Sequence, residues 1–199
     1  MPESNGDVGT YDFYGPHYRR FHSELAGRIR REVYGEDLGQ TGWRTSAEQA
    51  RIAELLRLGP GVDLLDVACG SGEPSLAFAE QTGCRVVGLD IELAGVAHAR
   101  AEADKRGLAD RAKFDVADCA GGLAFPDGTF QAVLCVDAVS SLPDRDATLR
   151  EWARLLAPGG RLLFTDALVL TGSVSRSELD QRAAQGPHLF VPPAATRPC

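Results

Sequence analysis

Apolar positions recur along this chain with two periods, and the change from one to the other near Val62 organises everything that follows. From Tyr18 to Tyr34, Phe21, Leu25, Ile29 and Val33 fall at every fourth position, which is one face of a helix. The other face is basic, with Arg19, Arg20, Arg28, Arg30 and Arg31. The pattern predicts that the apolar stripe faces the core and the arginines form a solvated surface. Gly35 to Thr45 holds three glycines, breaks the helix and leaves Trp43 in a loop. A second amphipathic helix follows, with Ser46 as its cap and Ile52, Leu55, Leu56 and Leu58 facing inward.

Beyond Val62, short apolar runs alternate with helical stretches. The runs predict strands at Val62–Val67, Arg85–Leu89, Ala112–Val116, Gln131–Val136 and Arg161–Leu168. Helices are predicted at Pro74–Gln81, Leu93–Arg106, Asp146–Leu156 and Ser175–Ala184. This order builds an α/β fold: a Rossmann-like doubly wound sheet of about five mainly parallel strands with flanking helices. Near-continuous apolar strands such as Val133-Leu134-Cys135-Val136 suit a sheet covered on both faces. The expected organisation is N-terminal helices and a lid over 1–58, a Rossmann-like domain over 59–191 and a disordered tail over 192–199, where prolines cluster.

The chemistry concentrates in Leu64-Leu65-Asp66-Val67-Ala68-Cys69-Gly70-Ser71-Gly72-Glu73-Pro74, which passes from a buried strand through a glycine turn into a helix. Gly70 and Gly72 allow a sharp turn and close approach of a ligand, and Pro74 suits the first helical turn. Such a turn points to a nucleotide-like ligand at the carboxyl ends of the strands. A dinucleotide fingerprint needs a third small residue, glycine or alanine, where this chain has Ser75, and Glu73 at the helix entrance would repel a pyrophosphate. A ligand carrying a sulfonium and an ammonium tolerates that charge, and Asp66 adds to the same bias. The second strand ends in Val87-Gly88-Leu89-Asp90, where a carboxylate can accept both ribose hydroxyls of an adenosyl group.

These segments resemble the class I S-adenosylmethionine-dependent methyltransferases, in particular their small-molecule branch, over about Val33 to Pro193. Leu65 to Gly72 is similar to the first motif of that family, and Asp90 to the acidic end of its second strand. Val116-Ala117-Asp118-Cys119 resembles the turn whose aspartate holds the adenine amino group. Ala132 to Asp137, continuing to Leu142-Pro143-Asp144, resembles the segment lining the methyl-transfer cleft, and Leu155 to Leu162 the turn before strand five. Tyr34 to Trp43 looks like the lid of some amine and natural-product methyltransferases. The resemblance implies S-adenosyl-L-methionine as cofactor. Its contacts would come from Trp43, Asp66, Ala68, Cys69, Gly70, Gly72, Asp90, Ile91, Ala117, Asp118, Cys119 and Asp137. It also implies transfer of a methyl group to the nitrogen of an amine or the oxygen of a hydroxyl on a small molecule. The alternative is a catalytically impaired cofactor-binding protein. Typical members continue into two further strands that form an antiparallel hairpin. Their absence here leads one to expect an open edge at strand five and a homo-oligomer through it.

Composition narrows the partners. Lysine and arginine number 21 against 28 acidic residues, a net charge of −7 that lacks the basic footprint of a nucleic-acid binder. Cys69, Cys84, Cys119, Cys135 and Cys199 form no metal-ligand spacing and read as reduced thiols of a cytoplasmic protein without a metal. The polar stretch from Met1 to Thr10 has no apolar export segment, and no apolar run approaches a membrane span. Aligning the reactants and excluding water is the main demand of methyl transfer, and a hydroxyl acceptor would gain from a base. Asp137, Asp166 and His188 are the candidates for that base, whereas His17, His22 and His98 read as surface residues, and no catalytic residue is assigned.

Overall fold

The computed structural model describes residues 21, 23–40 and 44–165. Helices α1 (Glu24–Tyr34) and α2 (Ser46–Leu56) precede β1 (Asp63–Val67), α3 (Glu73–Thr82), β2 (Arg85–Asp90), α4 (Leu93–Lys105) and β3 (Ala112–Val116). Then come β4 (Phe130–Cys135), α5 (Arg145–Leu155) and β5 (Leu156–Phe164). The five strands form one sheet in the order β3-β2-β1-β4-β5, and every neighbouring pair is parallel. This is the doubly wound α/β architecture that the sequence predicts.

Side chains alternate across each strand, so one apolar run supplies two cores. Leu64, Val86, Phe114, Ala132 and Leu134 pack on one face with Ile52 and Leu56 of α2, Leu76 and Phe78 of α3, and Val96 and Ala99 of α4. Leu65, Val67, Leu89, Val133 and Cys135 pack on the other with Trp152 and Leu155 of α5 and with Leu123, Val139 and Leu142. Both faces are thus covered, which is why the strands carry so few polar residues.

Strand β5 begins five residues earlier than the predicted Arg161. Its pairing with β4 jumps from Phe130↔Leu156 to Ala132↔Arg161, so Ala157 to Gly160 bow out of the ladder around Gly159, whose φ is +78°. The predicted continuation to Leu168, the predicted helix Ser175–Ala184 and the 192–199 tail lie outside the described residues.

Three expectations for the N-terminal helices are corrected. In α1, Leu25, Ile29 and Val33 are exposed by 61%, 49% and 60%, whereas Arg30 is buried at 8%. Arg30 Nε donates to Asp37 Oδ1 at 2.5 Å and Nη1 to the Phe21 carbonyl at 2.9 Å, with the guanidinium 4.2 Å from the Phe21 ring. Of the predicted stripe, Phe21 alone is buried. Arg30 alone of the described arginines on that face turns inward, Arg28 and Arg31 staying exposed, because an ion pair with Asp37 and stacking on an aromatic ring make the burial of an arginine tolerable. In α2, Leu55 is 41% exposed rather than inward. The cap of α2 is Thr45 instead of Ser46. Its hydroxyl accepts from Glu48 N at 3.2 Å while Glu48 Oε2 accepts from Thr45 N at 2.8 Å, a capping box legible as Thr45-Ser46-Ala47-Glu48. Thr45→Ala is expected to lower stability by about 1 kcal/mol, read from urea unfolding followed by circular dichroism.

Candidate functional site

Strands β1, β2 and β3 run in sequence toward one edge of the sheet, while β4 sits on the other side of β1. The chain reverses direction between β1 and β4, and a doubly wound sheet opens a crevice outside the carboxyl ends of its strands at that point. The glycine loop emerges there. Ala68, Gly70 and Gly72 all have positive φ, 57°, 61° and 72°, so the backbone winds tightly after β1. Cys69 N donates to Leu89 O at 2.9 Å and Gly72 N to Cys69 O at 3.0 Å, which folds the loop against the end of β2.

Asp90 fastens this arrangement. Its Oδ2 accepts from Gly70 N at 2.7 Å and its Oδ1 from Glu92 N at 2.9 Å, and the residue is only 7% exposed. Beside it two apolar side chains are left uncovered, Ile91 at 66% and Val116 at 46% exposure. Ala117 N donates to Asp90 O at 2.9 Å, which brings the ends of β2 and β3 together. Asp118, exposed on the same rim, accepts the Ala120 N–H at 2.9 Å and so shapes the turn in which it stands. Cys69 and Cys119 are buried at 8% and 7%, and burial pushes the Cys119 thiol up to about 11, so neither supplies a thiolate near neutral pH. Cys84 and Cys135 are likewise free and buried.

At the exit of β4, Asp137 is exposed with φ 57°. Thr165 holds it twice, accepting its N–H at 2.8 Å and donating to its Oδ1 at 2.7 Å. A residue held at positive φ by such bonds beside a crevice is a frequent mark of a working site. Trp43, Asp166 and His188 lie outside the described residues.

Three residues here have structural roles beyond those expected. Gly72 is tightly packed: a Cβ on it would stand 2.4 Å from Ala99 Cβ and 2.9 Å from Phe114 Cε1. Glu73 turns away from the loop toward α4. Its carboxylate meets His98 Nε2 at 2.9 Å and Arg106 Nη2 at 3.1 Å, so the charge that was to repel a pyrophosphate is matched locally, and His98 is a partner rather than a surface residue. Asp66 is 5% exposed and accepts the hydroxyl of fully buried Ser75 on α3, so what it touches lies beneath the loop.

Burial pushes the Asp66 carboxyl up to about 6, against the opposing pull of the Ser75 hydroxyl and the Arg44 charge. A folded-state value above the unfolded one means that the native state holds the proton more tightly, so the Asp66 contribution to stability falls as pH rises through that interval. Asp66→Asn keeps an oxygen for Ser75 and cannot ionise. Its stability relative to wild type is expected to rise from pH 4 to pH 6 and stay level above, measured by urea unfolding at each pH; an unchanged difference would contradict a buried ionising Asp66.

Residues 35–40 lie against the loop through contacts that no local pattern announces. Ser71 Oγ donates to Gly39 O at 2.9 Å, and Gly39 lies so close to Glu73 that a Cβ would sit 2.4 Å from its carboxyl carbon. Gln40, 3% exposed, accepts Leu38 N and donates to the carbonyls of Glu36 and Arg44. Ser71 and Thr165 bond Gly39 and Asp137, 32 and 28 residues away, so local spacing could not reveal these roles, whereas Gln40 bonds only within four residues.

Comparison with known proteins agrees with this geometry. Residues 64–160 match the family described as methyltransferase domain. Methyltransferase GfsG of Streptomyces halstedii is 36% identical over 67% of this chain and 47% of its own length. The 27-O-demethylrifamycin SV methyltransferase of Amycolatopsis mediterranei is 35% identical over 70% and 54%. Others are named for nitrogen or carbon acceptors, such as a phosphoethanolamine N-methyltransferase and a sterol 24-C-methyltransferase. A crystal structure of an S-adenosylmethionine-dependent methyltransferase from Geobacter sulfurreducens, in complex with S-adenosylhomocysteine, superposes with a TM-score of 0.54 at 31% identity. That match covers 60% of this chain and 47% of the other. The [4+2]-cyclase SpnF superposes with a TM-score of 0.60 at 30% identity, covering 68% and 54%. The chain spans about half the length of the curated relatives it matches.

Proposed function

We propose, from the match of residues 64–160 to the methyltransferase domain family, that this chain binds S-adenosyl-L-methionine and transfers its methyl group to a small-molecule acceptor. The observation that carries this reading is the glycine loop clamped to Asp90 at the switch point of the sheet. The site fits the adenosyl group. A carboxylate offers about four lone-pair positions, so Asp90 can accept ribose hydroxyls while it keeps Gly70 and Glu92. Exposed Ile91 and Val116 supply apolar surface for a flat heterocycle, with Ala117, Asp118 and Cys119 forming the rim. Ala68, Cys69, Gly70 and Gly72 build the loop that the rest of the cofactor would cross, and Asp66 supports that loop from below through Ser75.

The bound cofactor supplies a methyl group already activated on a sulfonium. What remains for the protein is to hold the two reactants in line and keep water away. Among the described residues, segment 35–40, held by Ser71 and lying close to Glu73, stands over the loop. An amine acceptor needs no base. For a hydroxyl acceptor, Asp137 is the exposed carboxylate at the exit of β4.

A second reading is cofactor binding without methyl transfer; a protein named for a different reaction, the [4+2]-cyclase SpnF, shares this fold at 30% identity. Titration calorimetry with S-adenosylmethionine and S-adenosylhomocysteine, followed by mass spectrometry over panels of amines and hydroxylated compounds, tests both. Saturable binding with a methylated product supports the methyltransferase. Binding without product on any panel supports the second reading, and a folded protein that binds neither compound overturns both.

A further inference from the structure

Residues 117–129 join β3 to β4 as turns and bends, with no helix or strand among them. The first part, Ala117 to Cys119, is the rim assigned above to the adenosyl group. The later part hangs from a single side chain of α5. Arg154 Nε donates to Glu151 Oε2 at 2.9 Å, and Nη2 to Glu151 Oε1 at 2.6 Å and to the Leu123 carbonyl at 3.0 Å. Nη1 donates to the Phe125 carbonyl at 2.8 Å and to Asp127 Oδ1 at 2.6 Å. Every N–H of the guanidinium is thereby used. Glu151 Oε1 also accepts Leu123 N at 2.7 Å, and the Arg154 carbonyl accepts Gly128 N at 2.9 Å.

Ion pairs this exposed add little to stability: the Arg154 side chain is 32% exposed and that of Asp127 81%. The bonds to main-chain carbonyls do something different, because a planar fork fixes both the position and the direction of the groups it holds. The rim needs such an anchor. The Asp118 turn closes through Ala120 N, and the next two residues, Gly121 and Gly122, would have nothing within 4 Å of an added Cβ, so side-chain packing does not hold the chain there. The first fixed point beyond them is Leu123, buried in one cluster with Cys119 of the rim and with Trp152 and Leu155 of α5, and bonded through both its carbonyl and its N–H. We propose that Arg154, seated on Glu151, is a positioning residue for adenine recognition: by fixing Leu123 it keeps the Asp118 turn preformed for the amino group of the base. A turn left loose would have to be ordered each time the cofactor bound, which lowers affinity and blurs the distinction between bases. The inference rests on the S-adenosylmethionine reading above, with the heterocycle against Ile91 and Val116.

The test compares two ligands that differ only in the base. Wild type, Arg154→Met and Arg154→Lys are titrated with S-adenosylhomocysteine and with S-inosylhomocysteine, in which an oxo group replaces the adenine amino group, and backbone hydrogen exchange is followed without ligand. Wild type is expected to prefer S-adenosylhomocysteine by about tenfold or more, the range for a hydrogen bond to a charged group. In Arg154→Met the preference should shrink to about twofold, with S-adenosylhomocysteine weakened and S-inosylhomocysteine nearly unchanged. Residues 121–128 should exchange faster in that variant while β1 and β4 stay protected. Arg154→Lys keeps a charge beside Glu151 without the planar fork, so it should fall between the two, and it carries the test if Arg154→Met does not fold. A merely structural role would weaken both ligands by one factor and leave the preference intact. Equal losses, an unchanged preference in both variants, unchanged exchange over 121–128, or a wild type that does not distinguish the two bases overturns the proposal. Wild type binding neither ligand would instead overturn the cofactor reading on which it rests.

Discussion

Alanine in place of Asp90 is expected to weaken S-adenosylhomocysteine binding by about a hundredfold or more while the chain stays folded. Two effects combine. The ribose loses an anionic acceptor, and a hydrogen bond to a charged group is worth about 1.5–3 kcal/mol. The glycine loop also loses its fastening, because Asp90 accepts from Gly70 N and Glu92 N at 2.7 and 2.9 Å. Asp90→Asn separates the two effects. Its one amide oxygen replaces two carboxylate oxygens and carries no charge, so its affinity should fall between those of wild type and alanine. Calorimetry on the three proteins, with circular dichroism to verify folding, gives the order directly. If Asp90→Ala binds like wild type, the ribose is not at the end of β2 and the placement of the cofactor is wrong.

Gly72→Val is expected to lower the stability of the fold itself by about 2–5 kcal/mol, the sum of backbone strain and overpacking. With φ at 72°, a side chain here meets the left-handed penalty, about 1–2 kcal/mol for an ordinary residue and more for a β-branched one. The new Cβ would also fall 2.4 Å from Ala99 Cβ, and neither partner is the free end of a flexible chain. Relief requires α4 to move away from the loop, opening the core that Ala99 and Phe114 share. Gly128→Ala is the control: its φ is +67°, but the nearest atom to its Cβ would be 3.7 Å away. That variant should lose only the strain component, about 1–2 kcal/mol, in the same urea unfolding experiment. Similar losses at the two positions would show that Gly72 is needed for its dihedral angle alone.

The layout of the site was legible because it follows from local sequence. Parallel strands buried on both faces must be written as continuous apolar runs, and Leu64-Leu65, Val86-Val87 and Val133-Leu134-Cys135 are such runs. Once the runs alternate with helices, the sheet, its switch point and the glycine loop at the end of β1 follow. Asp90 was legible for the same reason, as the acid that closes the second run.

Orientation was not legible. Periodicity defines the faces of a helix without saying what each face meets, so α1 reads as apolar-inward although Arg30 is the residue that turns in, toward an Asp37 beyond the helix end. Glu73 looks like the charge of the loop until Arg106, 33 residues later, and His98 draw it aside. Asp66 gains its partner Ser75 only when α3 packs on the sheet, and Arg44 Nε and Nη1 are buried without one only when the guanidinium meets Phe78, 34 residues later. The sequence by itself determined which elements form and in what order, because those choices depend on the period of hydrophobicity and on turn residues within a few positions. The tertiary structure decided which charges are matched and which are left waiting, because burial and pairing depend on side chains brought together from distant parts of the chain.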